Sequence, residues 1–371
     1  MDRRLLGVAG LAAVLAVGAC APVSRLPQVD EAAAKREEEV QRTLVLRQSL
    51  DHRVRLNRIA FPVLQAGAPL CKEKEHTARK AGFDVMSKYS FASKERSLAE
   101  RTFGFGEDLQ IIVVVPGSPA AQAGLREGDI LVRYDDWQVP SGSEALEAVI
   151  GKFAEISAKS ADMTMTVRRG GQELTLPIQL AEVCKYPYSV IQKEDVNAAA
   201  DGERIYFNNG MMDFARSDDE LAIVVGHEIS HNLMEHISKQ QGNQLLGTVV
   251  DLLFAGFGVN TQGAFGNMAA MAYSQDFESE ADYVGLYLTA RAGFDITKAP
   301  NFWRRMGVKH PGSIRSNHAA THPATPYRFV ALEQTVKEIS DKKAKGLPLT
   351  PEKDHPKPVE PAPEPTKEPS S

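Results

Sequence analysis

At 371 residues the chain is long enough for two domains, and 43% hydrophobic with 25% charged residues is the composition of a globular protein. A formal net charge of -5 leaves no basic surplus of the kind a nucleic-acid binder carries, so nucleic acid is excluded as the expected partner. Function has to come from local motifs.

The chain opens with "MDRRLLGVAGLAAVLAVGAC", where Arg3 and Arg4 precede an apolar run from Leu5 to Val17, then small residues and Cys20. The run is short for a transmembrane helix and has the layout of a secretion signal. Its end, "VGAC", resembles the lipobox of bacterial lipoproteins. That resemblance implies a signal peptide over 1–20, cleavage before Cys20 and lipidation of that cysteine. It further implies an exported, membrane-anchored protein, with Ala21 pointing to the periplasmic face of an outer membrane. Of the three cysteines, Cys71 and Cys184 then remain as a pair. An oxidising compartment permits a disulfide between them; two buried free thiols are the alternative.

Val29–Phe61 lacks Gly and Pro and is rich in Glu, Arg, Ala and Leu. It reads as a long helix within a spacer over 21–70, its charges a solvated face. From 71 to 184 the pattern changes. Leu109–Val115 is a strand, Pro116–Pro119 a turn and Ala120–Gly124 a short helical piece. Gly128-Asp129 turns into a second strand, Ile130–Arg133, and Ser143–Ala158 reads as an amphipathic helix. "MTMTVRRGGQELTLPIQL" is a hairpin with Gly170-Gly171 at its tip. From about Ala78 to Ala181 this arrangement, and "PGSPAAQAGLREGDILV" in particular, resembles a PDZ domain of the bacterial protease type. Such a domain binds an extended peptide by strand addition, its backbone amides near a Gly-aromatic loop receiving a C-terminal carboxylate. Two stretches fit that loop, "AGFDV" at Ala81–Val85 and "FGFG" at Phe103–Gly106. The spacing in bacterial relatives favours Gly82, Phe83 and Asp84.

Over 185–342 the decisive stretch is "LAIVVGHEISHNLMEHI", preceded by the capping and acidic residues Ser217, Asp218, Asp219 and Glu220. On a helix His227 and His231 share a face and can ligate one Zn²⁺. Glu228 lies about 100° round the axis from His227, so it can reach a water on the metal without taking a ligand position. His236 falls about 140° away from His231 if the helix continues, which makes it a surface or supporting residue rather than a ligand. Downstream, "YSQDFESEADYVGLYL" offers Glu278 or Glu280, of which only one can face the metal, and Asp282 to hold a ligand imidazole by its free N–H.

These motifs, followed by "THPATPYRFVAL", resemble the HtpX-like and CAAX-prenyl-protease-like zinc metallopeptidases over roughly Tyr188 to Val336, in a periplasmic lipoprotein branch with a PDZ domain. The resemblance implies one Zn²⁺ per chain held by His227, His231 and Glu278, with Glu228 as general base. It makes Asp282 and Arg328 supporting residues. It places His322 near the site, to stabilise an oxyanion, bind substrate or cap the metal at rest. It also implies an active-site strand near Ile205–Phe207, whose edge would pair with substrate. The Gly-rich apolar stretch between the two metal-bearing helices reads as buried helix plus loop, since Asp251 and several glycines interrupt it. The Pro, Glu and Lys-rich end, 343–371, reads as disordered.

The expected fold class is therefore α+β: a zincin-like, mostly helical metallopeptidase domain with a small sheet, plus a β-barrel-like PDZ domain. The expected activity is zinc-dependent endopeptidase cleavage of exported polypeptides in envelope quality control, with substrates held through the PDZ domain, including by their C-termini. A peptidase-like assembly or chaperone factor is the alternative.

Overall fold

The computed structural model describes residues 27–242, 274–309, 322 and 325–352, together with the single positions 245, 248 and 252. Cys20 and the signal-like segment, nearly all of the Gly-rich stretch, and the tail from residue 353 lie outside the described residues.

The chain divides into two compact units, Met1–Leu46 and Arg47–Ser371. The first is described from residue 27 and consists mainly of the opening turns of α1 (Glu31–Lys72). Its side chains are mostly exposed, and the i,i+4 pairs Lys35–Glu31 and Arg42–Glu38 support a stretch with little apolar surface to bury.

In the second unit the remainder of α1 is no spacer. Leu56, Ile59, Val63 and Leu64 are buried in the main core, so the helix runs past Phe61 and serves as a structural wall. Two of the charged residues that suggested a solvated face are instead bonded to neighbouring elements. Arg53 clasps Asp84, and Arg55 caps the carbonyls of Met212 and Ala215.

The strands follow in order: β1 (Thr77–Lys80), β2 (Phe83–Met86), then α2 (Arg96–Phe103), β3 (Gln110–Val114), α3 (Pro119–Gln122), β4 (Ile130–Tyr134), β5 (Trp137–Gln138), α4 (Ala145–Lys159), β6 (Asp162–Arg169), β7 (Gln172–Gln179) and β8 (Ala181–Cys184). One sheet runs β2-β3-β4-β6-β7 with β5 on β4, and β1 pairs antiparallel with β8. The β6–β7 hairpin pairs Arg169 with Gln172 across Gly170-Gly171, both at positive φ as a two-residue turn requires. Ile111, Leu131, Tyr134, Met165 and Val167 fill a core of their own against α4. Cys71, at the end of α1, is joined by a disulfide to Cys184 of β8.

The last part adds β9 (Tyr188–Ile191), β10 (Ala198–Ala200) and β11 (Ile205–Asn208), then α5 (Asn209–Phe214), α6 (Asp218–Leu233), α7 (Ser274–Arg291), α8 (Ala299–Lys309) and α9 (Pro326–Ala344). The small sheet has the order β10-β11-β9, so Ile205–Phe207 lies in the middle with both sides paired, and β10 is the edge beside α6. This corrects the expectation of an edge at Ile205–Phe207. The expectation of disorder from residue 343 also does not hold for the described residues up to 352. α9 runs to Ala344, and 347–352 is held by Arg291 on the Leu349 carbonyl, Lys342 on Glu352, and Tyr283 accepting from the Glu352 amide. The fold is α+β, and among the described residues no helix is long and apolar enough to cross a membrane.

Candidate metal centre

The site is built where α6 crosses α7. Ser217 caps α6 by accepting from the Glu220 amide, and Asp218, Asp219 and Glu220 put negative charge at the positive end of the helix dipole. From Leu221 to Leu233 every residue is buried, so the helix is a central strut rather than a surface element. It meets α7 at two glycines. A Cβ on Gly226 would sit 2.5 Å from the Gly285 carbonyl oxygen, and one on Gly285 would sit 2.8 Å from the His227 amide nitrogen. That backbone-to-backbone approach brings His227 and His231 against Glu278 and Asp282.

Four side chains converge: His227, His231, Glu278 and His322. His227 Nε2 is 3.1 Å from His231 Nε2, 3.2 Å from His322 Nδ1 and 3.5 Å from Glu278 Oε2. His231 Nε2 is 3.3 Å from Glu278 Oε1, and His322 Nδ1 is 3.0 Å from both oxygens of Glu278. Donors spaced this way fit a tetrahedron: metal bonds of about 2.0–2.1 Å give edges of about 3.3–3.4 Å. The set of imidazoles and one carboxylate, buried and facing one point, suits a divalent cation.

The surrounding charges agree. Burial alone would push Glu278 up, but the charges of His322 and Arg328 overcome it and hold its carboxyl well below the usual range. Burial pushes His231 down, leaving a neutral imidazole with a lone pair to offer. His227 goes the other way: burial opposes charge, yet Asp282 and Glu278 outweigh it and raise the imidazole to about 10. Two carboxylates thus demand positive charge at this point, a demand a metal ion also meets. Glu228 is buried, and its Oε2 has no hydrogen-bond partner among the described residues, while Oε1 lies 3.5 Å from His322 Nε2. That carboxylate oxygen, beside the donor cluster, is left able to accept a hydrogen bond.

Around the ligands is a second layer. Asp282 Oδ1 is 2.9 Å from His227 Nδ1, in ion-pair range though not in line for a straight hydrogen bond. Arg328 forks onto Asp282 at 2.8 and 2.9 Å and reaches Glu278 Oε2 at 3.0 Å, so one buried guanidinium fixes two carboxylates. Trp303 on α8 stacks near both, 4.9 Å from the His227 ring and 5.0 Å from the Arg328 guanidinium. His236 is not at the surface. α6 stops at Leu233, Glu235 takes a φ of 57°, and the turn folds His236 back to full burial with Nδ1 3.0 Å from His231 Nδ1. Of the two expectations for it, surface or supporting residue, the structure agrees with the second. Glu280 points away from the donor cluster, onto His236.

The two stretches proposed for a peptide carboxylate have different surroundings. Gly82 has a φ of 80° and precedes β2, an edge strand of its sheet. Phe83 lies edge-on to Phe153 of α4. Asp84 is paired with Arg53, accepts from the Asn57 carboxamide and accepts from its neighbour's amide, Val85 N–H. Phe103 and Phe105 instead cluster with Phe91, so "FGFG" builds a small apolar core.

Comparison with known proteins agrees with this arrangement. Residues 160–336 match Peptidase family M48. That match takes in just under half of the chain, 177 of its 371 residues. The M48 match takes in His227, Glu228, His231, Glu278, Asp282, His322 and Arg328, and residues 110–156 match a PDZ domain. Over 150 residues the chain is 31% identical to the mitochondrial metalloendopeptidase OMA1 of Arabidopsis thaliana, covering 39% of this chain and 30% of that protein. It is 27% identical over 167 residues to OMA1 of Schizosaccharomyces pombe, covering 43% and 49%. It is 26% identical over 137 residues to the beta-barrel assembly-enhancing protease of Yersinia pestis, covering 33% and 28%. The chain thus spans less than half the length of each of these relatives.

Proposed function

We propose that the protein is a zinc-dependent endopeptidase that cleaves exported polypeptides, anchored to a membrane through lipid on Cys20. The observation that carries this reading is the tetrahedral spacing of four donors, three of them buried, beside a Glu228 Oε2 that has no partner among the described residues. His227, His231 and Glu278 hold the metal. An open set of nitrogen and carboxylate donors suits catalytic zinc, whereas structural zinc is usually closed by cysteines.

When bound, zinc supplies Lewis acidity, lowering the pKa of water and polarising the scissile carbonyl. Glu228 takes the proton of the attacking water and passes it to the leaving amine. Arg328 and Asp282 keep His227 and Glu278 in place during this exchange. Substrate backbone adds as a strand at the edge of β10, whose alanines keep that edge narrow. The PDZ part, with β2 at its edge and Gly82, Phe83 and Asp84 at the head of the groove, holds a second segment or the C-terminus of the same polypeptide and raises its local concentration. The name of the Yersinia pestis relative, a beta-barrel assembly-enhancing protease, supports a role in the quality control of envelope proteins.

The test is Glu228→Gln in the zinc-loaded full chain, assayed on an unfolded polypeptide. Cleavage is expected to fall by about 10²–10⁴-fold, the usual worth of a general base, with zinc content unchanged. Cleavage at the parent rate would sink the mechanism.

A further inference from the structure

His236 has no part in the mechanism above, yet it is buried and aimed at a ligand. Its Nδ1 lies 3.0 Å from Nδ1 of His231, on the side of that ring opposite the nitrogen that faces Glu278. It is therefore not a ligand itself. Its own Nε2 lies 2.8 Å from Glu280 Oε2, and the Phe277 ring stacks on it at 4.6 Å and 17°. The chain His231, His236, Glu280 is continuous and ends on a carboxylate.

We infer that His236, held by Glu280, is a positioning residue that fixes the tautomer and ring orientation of the ligand His231. The argument rests on the proposed metal site and on proton counting. Between two Nδ1 atoms at hydrogen-bond distance, one donates and the other accepts. A carboxylate only accepts, so His236 carries its proton on Nε2 and gives it to Glu280. Its Nδ1 then has a lone pair and accepts from His231 Nδ1–H. With that proton on Nδ1, the Nε2 lone pair of His231 is free to face the metal. The opposite assignment would aim the Nε2 lone pair of His236 at a carboxylate and put a proton on the metal side of His231. His227 meets its carboxylate, Asp282, directly, whereas His231 meets Glu280 through one intervening imidazole. Partners of this kind set ligand basicity and orientation.

The test uses the metal-free full chain, titrated with Zn²⁺ against a competing chelator and with Co²⁺ for its visible absorption. His236→Leu is expected to weaken binding about 10–100-fold and to alter the Co²⁺ bands, since the His231 ring is released. His236→Asn, whose carboxamide can still accept from His231, recovers most of the loss. Glu280 is partly exposed, so Glu280→Ala folds even if the buried variant does not, and it is expected to weaken binding by about tenfold, the low end for such partners. Thermal melts followed by circular dichroism identify folded variants. Tight binding by the parent, with folded variants of equal affinity and identical Co²⁺ spectra, overturns this inference alone. A parent that binds neither metal overturns the metal reading and this inference with it.

Discussion

At the scale of the residue, His322 bears most directly on whether the site is open or closed. Its Nδ1 sits 3.0 Å from both oxygens of Glu278 and 3.2 Å from His227 Nε2, where a fourth donor to the metal belongs. A substrate carbonyl needs that same position, so the two compete. If the proposed three-ligand site holds, we propose that His322 caps it at rest, one of three roles its sequence motif allowed. His322→Ala should then raise basal cleavage of unfolded polypeptide roughly three- to tenfold, on the order of 1 kcal/mol of resting-state bias removed. Zinc content should stay at one per chain. An oxyanion role predicts the reverse, a loss of about 10²–10³-fold, so the direction of the change decides. Helical spacing is local, so the sequence already put His227 and His231 on one face of a helix with Glu228 beside them. It could not place His236, since nothing in "NLMEH" announces that the helix ends two residues early on a left-handed Glu235.

At the scale of the element, the site depends on how closely two helices approach. Gly226 and Gly285 face each other, and Thr289 ties the same crossing by donating to the carbonyls of Ala222 and Gly285. Gly285→Ala would place a methyl 2.8 Å from backbone atoms of Gly226 and His227, which cannot swing aside as a side chain would. The helices must separate, at a cost of about 1–3 kcal/mol in a urea melt. Metal affinity should fall with it, because the displacement draws Glu278 and Asp282 away from His227. Gly151→Ala in α4 is the control. Its Cβ would meet nothing within 4 Å, so the change should be neutral or stabilise by up to about 1 kcal/mol. A Gly285→Ala protein as stable as the parent would refute this account of the crossing. α4, α6, α7, the β6–β7 hairpin and the strand-turn-helix of the PDZ part were legible from periodicity and turn residues. The order of the small sheet was not, because which strand lies at an edge depends on partners distant in the chain. The reach of α1 to Lys72 was missed for a related reason: Pro62 and Pro69 lie inside it, where a break is the ordinary expectation.

At the scale of the whole molecule, the disulfide closes off the PDZ part from the candidate metal centre. Cys71 and Cys184 are separated by 113 residues, and the loop they close holds the whole β2-β3-β4-β6-β7 sheet. The β1–β8 pairing lies just inside it, with Thr77 opposite Cys184, so both ends of the loop are already neighbours in the fold. The bridge then acts mainly on the unfolded chain, where it forbids the separation of those ends. A loop of this length is worth about 3–5 kcal/mol by that argument. Both sulfurs are buried, which shields them from reductant, so the double variant Cys71→Ala, Cys184→Ala is the cleaner measurement. It should lower unfolding free energy by roughly that amount, less whatever native packing retains. Metal affinity of the folded variant should not change, because His227, His231, Glu278 and His322 all lie outside the loop and draw their support from α6, α7 and α9. A loss of affinity without a loss of stability would mean instead that the end of α1 transmits strain directly to the metal centre.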